Sequence, residues 1–234
     1  MKGQFLDAVL AANVDGRSVA LATDLKSGAQ LFLDGDLTEG DLELDEMSLG
    51  AMREALRADR NISLDIADSR VFVQVFSPPR RCFVIGAVHI AQPLVPMLQA
   101  CDYKPIVIDP RGAWATEARF PGVELSSEWP DEAFERLKPD RASAIVTLTH
   151  DPKIDDPALV AALRSDAFYI GALGSKRTHA KRLERLAKEG FGENELSRIH
   201  GPIGLYIGAV SQAEIAVSIL GQMTAVLRRG AMTA

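Results

Sequence analysis

The sequence predicts an α/β protein in two parts, a small α+β unit over residues 1–78 and a doubly wound parallel-sheet domain over residues 79–234. Three observations carry this expectation. From residue 82 onward, short strands that are apolar on both faces alternate with helical stretches, the pattern of a parallel sheet covered on both sides. Before that, short strands with alternating polarity surround a single helical stretch. Between the two lies Ser77-Pro78-Pro79-Arg80, which can neither continue a strand nor start a helix and so reads as a connector. Charge divides at the same place: residues 1–80 hold 8 basic and 14 acidic side chains, and the remainder holds 18 of each.

Composition bounds the function classes. A chain of 234 residues, 47% hydrophobic and 25% charged with mean hydropathy +0.03, is neither a disordered segment nor a fibre nor a small stapled scaffold. A net charge of −6 argues against nucleic acid as the main partner. No stretch reaches the ~18 apolar residues of a membrane span, and Met1 to Asp7 lacks the features of a signal peptide, so a soluble, cytoplasmic protein without a membrane partner is expected. Cys82 and Cys101 are too few for a disulfide framework or a closed zinc site; they read as buried thiols in a reducing compartment, and no metal site is expected.

In the first part, Val19 to Thr23 and Gln30 to Leu33 read as strands around the turn Lys26-Ser27-Gly28. Met47 to Leu56 has helical spacing, and Ile62 to Ile66 and Val71 to Phe76 pair across Ala67-Asp68-Ser69. No chemical motif stands out here, so the unit reads as a docking or scaffolding module. In the second part the strands are Cys82 to Ile85, Pro105 to Ile108, a weak Val123 to Leu125, Ala144 to Leu148 and Ala167 to Ile170. Helices are expected over Ala91 to Ala100, after Pro130, after Asp156 as N-cap with Pro157 in the first turn, and over Ser175 to Lys188. Ser211-Gln212-Ala213-Glu214 is a capping box for a last apolar helix that ends with Arg228-Arg229 and Gly230, and an exposed apolar face on it would fit a homodimer.

In an open parallel sheet the ligand lies outside the carboxyl ends of the strands. The unusual residues of this sequence fall there. Gly86-Ala87-Val88-His89 follows the first strand in the position of a dinucleotide-binding turn, with Val88 where a glycine would let a pyrophosphate approach. Asp109, 23 residues after Gly86, is either a ribose-binding carboxylate with Arg111 near a phosphate or a strand-end turn. Thr149-His150-Asp151-Pro152 leaves an apolar strand, and His150 is either a ligand contact, a proton donor or a turn residue. Gly171-Ala172-Leu173-Gly174-Ser175 runs into a helix beginning Lys176-Arg177, an anion site in principle. Lys181, Arg182, Arg185 and Lys188 farther along that helix read as a solvated face paired with Glu184 and Glu189. His200 to Gly208 is either a rigid loop closing over the site or a connector.

The segments Thr147 to Lys153, Asp155 to Leu159, Tyr169 to His179 and Ile199 to Leu205, with Gly86 and His89, occur in an order that resembles the XdhC/CoxI family of xanthine dehydrogenase accessory proteins. The resemblance spans residues 82–227 and implies a Rossmann-like domain that binds the molybdenum cofactor, as molybdopterin or its dinucleotide form. It implies a chaperone that holds the cofactor during sulfuration and passes it to an apo molybdenum hydroxylase such as xanthine dehydrogenase, with a sulfur-donating enzyme as a further partner. Three features depart from the family pattern: Val88 in the glycine turn, Tyr206 where an Asp commonly follows Gly-Pro-Ile-Gly-Leu, and no cysteine in residues 1–80. The residues expected to contact the cofactor are Gly86, His89, Asp109, Thr149, His150, Asp151, Gly171, Gly174, Ser175, Lys176, Arg177 and Gly201. Two other readings compete with the chaperone. One is an NAD(P)-dependent oxidoreductase with Asp109 on the ribose and His150 as acid/base, against which Val88 argues. The other is a structural adaptor that binds no ligand.

Overall fold

The computed structural model describes residues 1–66 and 68–229, so Ala67 and Gly230, expected at a turn and beyond the last helix, lie outside the described residues. The chain forms two compact units, Met1–Pro78 and a second that begins at Pro79.

The first unit is a five-stranded antiparallel sheet with strands β1 (Val19–Asp24), β2 (Gln30–Asp34), β3 (Leu37–Gly40), β4 (Ile62–Ile66) and β5 (Ser69–Phe76) in the order β3-β2-β1-β5-β4. Asp24 closes the β1–β2 turn: its carboxylate accepts from the Lys26 N–H at 2.8 Å and the Ser27 hydroxyl at 2.7 Å, and also from the Ser69 hydroxyl. Helix α2 (Glu46–Arg57), capped by Asp45, packs Met52 and Ala55 against Ala20, Ala22, Val71 and Val73. A helix that the sequence pattern does not reveal, α1 (Gly3–Val14), packs Phe5, Val9 and Ala12 against Val19, Leu21 and Phe32. Its other side carries Leu6, Leu10 and Val14, which are exposed, so its apolar residues run nearly all round and leave little periodicity to detect. The second helix explains why β1 is buried on both faces.

In the second unit six parallel strands, β6 (Arg80–Ile85), β7 (Tyr103–Ile108), β8 (Glu124–Ser126), β9 (Ser143–Thr147), β10 (Tyr169–Ala172) and β11 (Ile199–His200), lie in the order β11-β10-β9-β6-β7-β8. This is the strand order of a Rossmann fold, with β6 as its first strand. Alternate residues of β6 serve opposite faces. Cys82 and Val84 join the core under α3 (Ala91–Ala100) and α8 (Gln212–Arg229), while Phe83 and Ile85 join the core under α4 (Pro130–Leu137), α5 (Pro152–Arg164) and α6 (Lys176–Lys188). A short α7 (Glu193–Leu196) precedes β11. Register fixes the functional edge: Ile85 pairs with Ile108 and with Thr147, and Thr147 pairs with Ala172, so Gly86, Asp109, Leu148 and Leu173 all leave the sheet at one level.

Helix α8 starts as its capping box predicts, with Glu214 accepting from the backbone N–H groups of Val210 and Ser211, both at 2.8 Å. Ala216, Ile219 and Met223 of α8 are buried in the core shared with α3, and Val217 is exposed. Helix α5 starts one turn earlier than expected, at Pro152 with Asp151 as cap, which leaves Pro157 inside the helix. The buried residues Ile154 and Asp155 hold that extra turn in place and outweigh the hydrogen bond lost at Pro157.

Leu98, fully buried where α3 faces α8, anchors this side of the sheet. Leu98→Ala is expected to destabilise the protein by about 2–5 kcal/mol, read as a drop in the urea midpoint at unchanged slope.

Candidate functional site

The connections from β6 leave toward β7 on one side and, through β9, toward β10 on the other, so the crevice of the fold opens between the turns that follow β6 and β9. These two turns nearly touch. Gly86 is buried with φ +103°, its N–H donates to the Ile108 carbonyl at 2.8 Å, and a Cβ at this position would lie 2.4 Å from Thr149 Cγ2. Glycine is required here for turn-to-turn packing as well as for its conformation. Val88 is half-buried against the α3–α8 core, which gives a packing reason for an apolar residue in the glycine turn, while His89 is exposed. Helix α3 then begins with no side-chain cap on its N–H groups.

Asp109, fully buried at the end of β7, fixes this turn from below. Its Oδ2 accepts from the Ala87 N–H at 2.8 Å and from Arg111 Nη2 at 2.7 Å, and its Oδ1 accepts from Arg111 Nε at 2.8 Å and the Arg111 N–H at 3.1 Å. Burial pushes this carboxyl up, but the bonds from Arg111 and Ala87 outweigh it and hold Asp109 below the usual carboxylate range. Arg119 braces the same turn by donating to the Ala87 carbonyl and the Trp114 carbonyl, both at 2.7 Å. The guanidinium carbons of Arg111 and Arg119 lie 5.7 and 5.6 Å from the ring centre of half-exposed Trp114. The sequence pattern assigns Trp114 and Arg119 no role, because nothing in their spacing links them to Ala87.

After β9, the Thr149 hydroxyl donates to Asp155 Oδ1 at 2.7 Å, and the His150 N–H donates to Asp155 Oδ2 at 3.1 Å. His150 adopts φ +64° and leaves its ring exposed, and Asp151 caps α5 by accepting from the Lys153 N–H at 3.0 Å. Asp155 is buried, and burial raises its carboxyl above the usual range against the lowering influence of Thr149 and Arg182. Arg182 corrects the expected solvated face. It is only 1% exposed, donates Nη2 to the Leu173 carbonyl at 2.8 Å and places Nη2 3.7 Å from Asp155. Arg185 likewise pairs in two-pronged fashion with Asp156, at 2.5 and 2.9 Å, rather than with a glutamate of its own helix. Arg182 falls one turn before buried Leu186, and that spacing is the sequence signal for its buried face.

The remaining expected site residues fall into two groups. Ser175 caps α6 through the Thr178 N–H at 3.1 Å; Gly174 takes φ +145°, and Lys176 and Arg177 are exposed in the first turn. Gly171 and Gly201 serve packing. A Cβ on Gly171 would meet Ile203 and Tyr169 at 2.5–2.8 Å, and one on Gly201 would lie 2.2 Å from His179 Nδ1. The His200 to Gly208 segment is tied down rather than free: the Ile203 N–H donates to the Ala172 carbonyl, and the Gln222 side chain accepts from both the Gly204 N–H and the Tyr169 hydroxyl. His200 stacks on Tyr169 at 4.9 Å, and burial lowers the pKa values of His179 and His200. Among the described residues no group of three or more His, Cys, Asp or Glu side chains is placed to hold a metal ion. Cys82 is buried as expected, with its thiol pushed far up by desolvation. Cys101 is not: it is exposed, because it sits at the C-terminal end of α3, which points away from the crevice.

Residues 82–223 match the family model of the XdhC Rossmann domain. The molybdenum cofactor insertion chaperone PaoD of Escherichia coli is 37% identical over 87 residues, which is 37% of this chain and 27% of that protein. A Bacillus subtilis protein described as a probable xanthine dehydrogenase subunit is 29% identical over 165 residues, 70% of this chain and 48% of that protein. The chain therefore spans less than half the length of these curated relatives. Among solved structures, a xanthine dehydrogenase from Bacillus halodurans superposes with a TM-score of 0.76 over 96% of this chain and 67% of that one at 23% identity, a likeness of fold.

Gly86→Ala is expected to cost about 1–3 kcal/mol, and Thr149→Ser, which removes the obstructing methyl and keeps the hydroxyl, should return part of it; a double-mutant cycle of urea midpoints measures the coupling. The two half-buried histidines, His179 and His200, set a pH dependence. Their folded values lie below the ordinary 6.5, so their contribution to stability is complete above 6.5 and is lost as the pH falls from there through the lowered values. Between about pH 7 and pH 5 the urea midpoint of the unmodified chain should fall more steeply than that of His200→Phe, which keeps the ring stack and cannot titrate.

Proposed function

Because the chain belongs to the XdhC Rossmann-domain family, we propose that it binds the molybdenum cofactor at the carboxyl edge of its parallel sheet and, without itself making or breaking a bond, hands it to an apo molybdenum hydroxylase. The observation that carries this reading is the point of strand-order reversal at Gly86 and Thr149. Both of its turns are held rigidly from beneath by buried carboxylates, while His89 and His150 are exposed above them. The name of the E. coli relative, a molybdenum cofactor insertion chaperone, points the same way.

The residues present fit a phosphate-bearing pterin. The uncapped start of α3 offers backbone donors, and Arg177 and Lys181 add positive charge near His150. When bound, the cofactor supplies the redox-active molybdenum that the hydroxylase uses. The chain itself binds and orients. It sets no thiol at the crevice, so sulfur gained by the cofactor while held comes from a separate sulfur-donating enzyme. Delivery of this kind takes place in the cytoplasm, in keeping with two free thiols and with no described helix long and apolar enough to cross a membrane.

A second reading rests on the strand order and on Asp109, which together match a nicotinamide dinucleotide site. Against it, both oxygens of Asp109 are already engaged by Ala87 and Arg111. Calorimetry should rank molybdopterin at least about tenfold tighter than NAD or NADP, a difference of about 1.4 kcal/mol; the opposite order favours the dehydrogenase. His150 is the discriminating residue. His150→Ala should lower molybdopterin retention and the yield of reconstituted hydroxylase in parallel. Full retention with a loss of roughly 10²- to 10⁴-fold in turnover would instead mark an acid/base.

A further inference from the structure

The start of α5 and the first three turns of α6 border an open cavity of about 280 Å³ whose wall includes His150, Asp155, Arg177, Lys181, Arg182 and Arg185. We propose that this cavity is a phosphate subsite, taking a phosphate or pyrophosphate group with Arg182 as its central donor. Four cations and two carboxylates, Asp155 and Asp156, stand here, an excess of two positive charges before His150 is counted. Arg185 is taken up by Asp156. Arg182 is not taken up in the same way. Its Nη2 serves the Leu173 carbonyl, but its Nε and Nη1 are buried without a hydrogen-bond partner. Buried guanidinium donors are normally satisfied, and a fork of N–H groups matches the oxygens of a phosphate.

Two further observations favour this position over the tip of α6. The Ser175 hydroxyl at that tip is already occupied by the Thr178 N–H, and Lys176 does not line the cavity. Helices α5 and α6 both start beside the cavity, so the partial positive charges of their N-termini add to those of Arg177 and Lys181. The phosphate has two possible sources, the arm of a cofactor or free inorganic phosphate; the assignment to the cofactor rests on the function proposed above.

Inorganic pyrophosphate titrated calorimetrically into the full chain at fixed ionic strength tests the site directly. One saturable site is expected, weakened about tenfold by Arg182→Met and several-fold by Lys181→Ala. Lys188→Ala, at the far end of the same helix, should leave it unchanged. Equal weakening by Lys188→Ala and Lys181→Ala, or no effect of Arg182→Met and Lys181→Ala, overturns the site. If Arg182→Met loses its far-UV circular dichroism, Arg177→Ala with Lys181→Ala decides in its place. Molybdopterin retention by the same variants is the second arm. Loss of pyrophosphate with molybdopterin fully retained overturns the assignment to the cofactor. Arg182-dependent pyrophosphate binding by a chain that takes no molybdopterin upholds the cavity and removes the cofactor reading instead.

Discussion

A carboxylate taken out of water must be met by donors, and Asp155 is the place where this requirement organises the molecule. Its two oxygens draw in the Thr149 hydroxyl and the His150 amide, which forces the β9–α5 turn into its left-handed bend at His150. Its charge also gives Arg182 a reason to lie buried on the inner face of α6. The shape of the turn, the early start of α5 and the placement of α6 thus share one origin.

Asp109 does the same on the other side of β6. Its oxygens hold the Ala87 amide and the Arg111 fork, so the turn after β6 is anchored to the end of β7. The two buried acids flank the point where the strand order reverses, and each fixes one wall of the crevice. Polar groups whose sequence positions suggest a ligand are in several cases spent on the scaffold: Asp151 and Ser175 cap helices, and Asp109 accepts from its neighbours. His89, His150, Lys176 and Arg177 by contrast are exposed at the surface.

The alternation of doubly apolar strands and helices makes the parallel sheet legible, because burial on both faces leaves a continuous run that depends on local sequence alone. The capping box of α8 is legible for the same reason. Helix α1 is not, since its apolar residues run nearly all round, and the short β3 and β11 are defined by their neighbours rather than by pattern. At the site, the glycines stand out as unusual in the sequence, but which of them faces a ligand and which faces Ile203 or a histidine ring depends on contacts between distant segments. Arg182 is hidden by its basic neighbours on α6; its partners Asp155 and Leu173 come from other elements.

The indole of Trp114 has a consequence of a different kind. Only two tryptophans occur in the chain, and Trp129 stands at the start of α4. Trp114 has two guanidinium groups within 6 Å of its ring, and one of them, Arg119, is hydrogen-bonded to the Ala87 carbonyl in the turn that walls the crevice. Any shift of that turn moves a positive charge relative to the indole, and the energy of an indole's excited state responds to nearby charge. The ultraviolet emission of this protein therefore carries a native optical reporter of its crevice, readable without attaching a dye.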